Sequence, residues 1–216
     1  MVQDSPVDVF PAVAAGRRSV ADLLEGLDEQ QLTSPSLCAG WDVRTVGAHL
    51  AGAAAPALGT FLVAVMRAGG RVHRANDAAA HRAARRPVAE TVARLRQHAD
   101  NRSAPPVTGP RAPLTDVLVH EGDIRLPLGL AYDPDAAAVR TALEFVTTGR
   151  PVGFVPRGRL TGLRLVATNL DWSWGSGPET SGLGVDLLMA ACGRTAALPQ
   201  LEGPGSRLLR ERLGGS

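Results

Sequence analysis

The stretch LTDVLVHEGDIR, Leu114 to Arg125, carries most of the information on fold and chemistry in this 216-residue chain. It is predicted to be a helix that stops before the turn-forming sequence at residues 126–129. Asp116 and His120 lie four residues apart within it. Because residues at positions i and i+4 share one face of a helix, both side chains can reach a single metal ion.

Three earlier stretches also have helical patterns. Residues 10–27 carry apolar side chains at helical spacing, and Pro87 suits the first turn of a helix over residues 88–98. Asp42 can cap a further helix that contains His49 and ends near Ala68. Together with the stretch that begins at Leu114, these patterns predict a helical bundle.

The pattern changes in the second half of the chain. A helix is predicted over residues 135–148, and residues 158–168 alternate between apolar and polar side chains, as a half-buried strand does. Two short helices follow, at residues 185–192 and 206–213. The predicted fold class is therefore α+β. Its expected parts are a helical bundle at residues 1–132, a bridging helix or linker at 133–149, and a small α/β domain at 150–216.

Composition excludes several kinds of chemistry. All 23 basic Lys or Arg residues are arginine, so mechanisms that need a lysine Schiff base, a P-loop lysine or a lysine base are excluded. The net charge of +2 is too small to indicate nucleic-acid binding. The two cysteines, Cys38 and Cys192, form no CxxC pair, and the first residues do not resemble a signal peptide. We therefore expect a reduced, cytoplasmic protein.

Residues 45–66 contain no charged side chain apart from the potential charge on His49, and the stretch is long enough to span a bilayer. It consists largely of alanine and glycine, includes Pro56, and is flanked by arginines. This composition favours a buried bundle helix, so no membrane partner is expected.

A third ligand would complete a metal site with Asp116 and His120. His49, on the predicted second helix, is the best available donor. Three protein ligands leave a position open for water or substrate, and an N/N/O set suits zinc, nickel or another first-row divalent ion. Two alternatives remain open. The histidines could instead be hydrogen-bonded core residues, and Asp123 is a rival carboxylate, three residues after His120.

Three stretches in order resemble signatures of the mycothiol-dependent maleylpyruvate isomerase family. They are PSLCAGWDVRTVGAHL at residues 35–50, LTDVLVHEGDIRLPLG at residues 114–129, and GLRLVATNLDWSWGSG at residues 162–177. Residues 187–194 extend the last of these. The resemblance covers most of the chain, and it implies a DinB-like four-helix bundle followed by a small sterol-carrier-like α/β domain.

The resemblance also implies a site and a cofactor. It assigns a divalent metal, usually zinc, to His49, Asp116 and His120. Nickel is the alternative that the N/N/O ligand set also suits. The resemblance implies the thiol mycothiol as cofactor or co-substrate. The thiolate of mycothiol would be activated at the metal, and it would then either isomerise a small electrophile or be transferred to it.

Two further residues are expected to bind the thiol or the substrate. Arg194 matches a C-terminal Gly-Arg of the family and could pair with a carboxylate of an anionic electrophile. Asp123 is expected beside the metal ligands or as the ion-pair partner of Arg125. The alternative function is a non-catalytic DinB-like protein that binds a metal or another ligand. Either protein would be a monomer or a homodimer, without a nucleic-acid partner.

Overall fold

The computed structural model describes residues 8–55, 72–105 and 107–214. This part of the chain contains helices and a small three-stranded sheet, which confirms the predicted α+β class. The chain divides into two compact units: Met1–Ser103 with Asp123–Leu130, and Ala104–Gly122 with Ala131–Ser216. The domain boundaries expected at residues 132 and 149 stay a prediction.

The first unit is helical. Its helices are α1 (Phe10–Gly26), α2 (Glu29–Leu32), α3 (Val43–Ala54), α4 (Val72–Ala84) and α5 (Val88–Gln97). Helix α3 packs against α4 and α5, and α1 packs against α5. Fully buried apolar side chains from three of these helices form the core, among them Val13, Val20, Leu24, Val46 and Leu95. The predicted bounds of α1 and α5 agree with the structure to within one residue.

Helix α3 is shorter than predicted. It ends at Ala54, because Ala55 leaves the helical region with φ −137° and ψ 73°. The residue after Ala55 is Pro56, and the proline ring disfavours helical backbone in the residue before it. The end expected near Ala68 is therefore wrong for this helix, and residues 56–71 lie outside the described part of the chain.

A buried arginine joins α1 to the end of α5. Arg17 is only 4% exposed. Its Nη1 donates hydrogen bonds to the carbonyl oxygens of His98 at 3.2 Å, Ala99 at 3.0 Å and Asn101 at 2.8 Å. Carbonyls at a helix C-terminus lack partners within the helix and carry partial negative charge, so a guanidinium there is favourable.

We predict that Arg17→Ala lowers the free energy of unfolding by roughly 3 kcal/mol, because three carbonyl oxygens, one buried and two partly buried, lose a charged donor. Urea denaturation followed by circular dichroism measures the loss. The neighbouring Arg18→Ala is a matched control, since Arg18 is 49% exposed and pairs with Asp100 at the surface. It should change the stability by less than about 1 kcal/mol. Equal losses in the two variants would contradict the role of Arg17.

Helix α6 (Arg111–Arg125) runs from the second unit into the first, with the division after Gly122. It begins three residues earlier than the expected start at Leu114. Pro113, which the expected start leaves outside the helix, lies in its first turn. Proline is tolerated in the first turn of a helix, because the N–H groups there have no partner within the helix.

The second unit contains the sheet. Its other elements are α7 (Ala136–Thr148), β1 (Arg164–Ala167), β2 (Trp172–Gly175), β3 (Glu179–Gly182), α8 (Gly184–Ala191), a 3₁₀-helix (Thr195–Gln200) and α9 (Pro204–Gly214). The strand order is β2-β1-β3, with β2 antiparallel and β3 parallel to β1. Helix α7 packs against α8. The Oδ1 atom of Asn169 accepts the backbone N–H of Gly184 at 2.8 Å, at the start of α8.

The sheet agrees with the sequence prediction only in part. The predicted strand over residues 158–168 is confirmed at its C-terminal end, where Leu165 and Ala167 point into the core of the unit. Strand β3 was not predicted, because its sequence, ETSG, has no apolar alternation. It forms by pairing with β1, and its Thr180 is fully buried.

Among the helices of the described residues, none combines the length and the apolar composition that crossing a bilayer requires. Residues 56–66, which belong to the uncharged stretch at residues 45–66, lie outside the described residues.

Candidate functional site

The start of α3 is held by several local hydrogen bonds. The Asp42 side chain accepts the N–H of Thr45 at 2.7 Å, so Asp42 caps the helix as predicted. Pro35 and Asp42 form an isolated antiparallel bridge, which closes the loop before the helix. This arrangement places His49, which is half-buried, in the second turn of a well-anchored helix.

An aromatic contact flanks His49. The rings of Trp41 and His49 have centroids 5.2 Å apart and are tilted by 50°. The indole N–H of Trp41 donates to Oδ1 of Asp77, on α4, at 2.7 Å. Oδ1 of Asp77 also lies 3.4 Å from Nε2 of His81. The spacing of residues in the sequence gave no signal for Asp77.

Helix α6 buries polar side chains as well as apolar ones. Every residue from 117 to 124 is buried. His120 is 9% exposed, Glu121 7% and Asp123 0%. Burying ionisable groups costs free energy unless they are paired, hydrogen-bonded or bound to a metal. Each of these side chains therefore needs a partner in the interior, which a hydrogen bond, an ion pair or a metal ion can supply.

Asp116 and His120 lie one turn apart on α6. The distance from Nε2 of His120 to Oδ1 of Asp116 is 3.5 Å, and the side chains are 11% and 22% exposed, respectively. The imidazole nitrogen and the carboxylate oxygen therefore face the same small volume.

Two sets of three side chains among the described residues could hold a metal ion. The first is His49, Asp116 and His120, and the second is Cys38, His120 and Asp123. Within each set the ligand atoms lie within 4.8 Å of one another. Ligand atoms around a tetrahedral zinc ion are about 3.3 Å apart, so small side-chain adjustments suffice. The sequence prediction did not include Cys38 among the ligands.

The two residues expected to bind thiol or substrate lie on different elements. Asp123 is fully buried near the end of α6, and its backbone carbonyl accepts the N–H of Leu37 at 3.2 Å. Arg194 follows α8 and donates from Nη1 to the carbonyl of Cys192 at 2.8 Å. Gly193, between Cys192 and Arg194 in this turn, has φ +97°, a conformation that favours glycine. The binding roles of Asp123 and Arg194 stay predictions.

The comparison with protein families identifies the first half of the chain. The sequence model described as the mycothiol maleylpyruvate isomerase N-terminal domain matches residues 13–125, which is more than half of the 216-residue chain. The chain belongs to the mycothiol-dependent maleylpyruvate isomerase family. The resemblance described from the sequence motifs is thereby confirmed.

Solved structures of the mycothiol-dependent maleylpyruvate isomerase have the same fold. A histidine-to-alanine mutant of that enzyme superposes with a TM-score of 0.60, and another structure of the enzyme gives 0.56. In both comparisons the sequence identity is 15%, and the match covers 91% of this chain and 92% of the other. At this identity the likeness establishes the fold. No curated protein matches the chain in sequence.

We predict that Gly122→Ala lowers the free energy of unfolding by about 1–3 kcal/mol, because overpacking a buried site forces its neighbours to move. A Cβ atom at Gly122 would lie 2.8 Å from Cε of Met189 and 2.9 Å from Cε1 of Tyr132. Chemical denaturation measures the change. In the control Gly52→Ala, on α3, the new Cβ meets no atom within 4 Å. This control should gain about 0.5–1 kcal/mol. A stabilised Gly122→Ala variant would contradict the close packing around α6.

Proposed function

We propose that this chain is a metal-dependent enzyme that uses mycothiol as its thiol cofactor or co-substrate. The reaction is isomerisation of a small anionic electrophile, or transfer of the thiol to it. The metal is zinc, with nickel as the alternative, and its ligands are His49, Asp116 and His120. Membership of the family supports the use of mycothiol, and the chemistry of the three side chains supports the metal.

The observation that carries the proposal is the pair on α6. Asp116 and His120 present a carboxylate oxygen and an imidazole nitrogen 3.5 Å apart, on a helix whose residues 117–124 are all buried. One carboxylate and two neutral imidazoles leave a divalent cation with a net charge of +1. That charge favours one further anionic ligand, such as a thiolate.

The bound metal would lower the pKa of the mycothiol thiol, so that a thiolate is available at neutral pH. The chain itself holds the metal through three ligands and leaves a coordination position open. In the proposed site, Asp123 supports the ligand His120 from the next turn of α6, as partners of metal ligands commonly do. The guanidinium of Arg194 would bind a carboxylate of the substrate through paired hydrogen bonds.

The purified protein should contain about one equivalent of a divalent metal, measured by inductively coupled plasma mass spectrometry. Removing a ligand by His49→Ala or His120→Ala should weaken metal binding at least tenfold, because a three-ligand site is then incomplete. His98→Ala is the control, since His98 ends α5 and belongs to neither ligand set. Metal contents that are equal in all four proteins would contradict the proposed ligands.

Mycothiol should bind to the metal-loaded protein and bind at least tenfold more weakly to His120→Ala, because the thiolate needs the metal as its ligand. Isothermal titration calorimetry measures both affinities. Equal affinity in the two proteins would show that the thiol binds without the metal. If neither metal nor mycothiol binds, the alternative of a non-catalytic binding protein would replace the enzyme.

A further inference from the structure

The backbone of Trp41 is fixed on both sides of its side chain. Its N–H donates to the carbonyl of Cys38 at 3.0 Å. Its carbonyl accepts the backbone N–H of Ser36 at 3.0 Å and the Ser36 hydroxyl at 2.9 Å. The next residue, Asp42, caps α3. Trp41 therefore cannot move without breaking the loop that starts the helix carrying His49.

The indole ring is fixed at its far end by a second helix. Nε1 donates to Oδ1 of Asp77 at 2.7 Å, and a hydrogen bond to an ionised carboxylate is stronger than one to a neutral acceptor. The Asp77 side chain is 57% exposed, so this bond forms at the rim of the first unit rather than in its core. The same oxygen faces His81, which is also exposed.

The fixed indole ring lies against His49. The centroid distance of 5.2 Å and the tilt of 50° are those of an aromatic contact. Rotation about the bond to an imidazole ring is broad and roughly twofold, so the helix alone does not determine which ring atom faces a ligand. A rigid neighbour restricts that rotation.

We propose that Asp77 and Trp41 are positioning residues for His49. The carboxylate of Asp77 holds the indole, and the indole holds the imidazole in the orientation that binds the metal. This inference rests on the proposed function for its consequence, which is the metal affinity of the first ligand set. The contact itself involves only residues of the first unit.

The first experiment uses the metal-free full-length protein. The ring-proton resonances of His49 are assigned in NMR spectra by their loss in His49→Ala. The ring current of Trp41 acts on these protons at this distance, so Asp77→Ala and Trp41→Phe should both shift them. Asp77→Asn retains an oxygen acceptor and should restore most of the wild-type positions. Glu90→Ala is the matched control, because it removes an exposed carboxylate that pairs with Arg86 instead.

The second experiment measures zinc affinity by competition with a chromophoric chelator. Asp77→Ala should weaken zinc binding roughly tenfold, as loss of a residue that orients a metal ligand commonly does. The zinc affinity of Asp77→Asn should stay within about threefold of the wild-type value, since a hydrogen bond to a neutral amide oxygen replaces one to a carboxylate. The double variant that combines Asp77→Ala with Trp41→Phe should lose no more zinc affinity than either single variant. Both substitutions interrupt the same contacts, from Asp77 through Trp41 to His49. Circular dichroism confirms that each variant is folded.

The outcomes separate this inference from the proposed function. Unchanged His49 resonances in Asp77→Ala would overturn the inference, whatever the metal does. If Asp77→Ala shifts the His49 resonances but leaves the zinc affinity unchanged, the inferred effect of this orientation on metal binding would be overturned. If the wild-type protein binds no zinc but Asp77→Ala shifts the resonances, the proposed function fails while the orientation of His49 by Trp41 stands.

Discussion

Three ionisable side chains on α6, His120, Glu121 and Asp123, are almost completely removed from water, and the rest of the structure has to compensate for that. Transferring a charged group from water to a protein interior is unfavourable unless a partner replaces its hydration. An ordinary amphipathic helix would present these residues to solvent. Here every residue from 117 to 124 is buried, so the polar groups become part of the interior. This is the environment in which we propose the metal is bound.

The chain contains no lysine, and arginines donate to several carbonyl oxygens inside it. Arg17 serves three carbonyl oxygens at the end of α5, and Arg159 donates to the carbonyl of Ala191 at 3.1 Å. Burial lowers the pKa of Arg159, yet an arginine remains charged because its ordinary pKa is so high. A guanidinium also offers five donors in one plane. Arginine therefore suits positions where several carbonyl groups end near one another inside the protein.

Part of the candidate site could be derived from residue spacing. Asp116 and His120 are placed on one face of α6 by the helical repeat, and Asp42 marks the start of α3 and hence the turn that carries His49. The contacts of Trp41 with His49 and of its indole with Asp77 could not be derived in this way. Asp77 is 36 residues from Trp41 in the chain and reaches it only because α4 packs against α3. Cys38 likewise joins a ligand set only through tertiary structure.

The sequence by itself determined the elements whose signals are local. Apolar residues at helical spacing predict α1 and α5, Asp135 predicts the start of α7, and alternation predicts the inner face of β1. These signals suffice because a helix or strand buries one face whatever its neighbours are. Only the tertiary structure decided that β3 forms, since its four residues are specified by pairing with β1. The tertiary structure also decided that the ionisable residues on α6 are buried, because a helix sequence does not show how many of its faces other elements will cover.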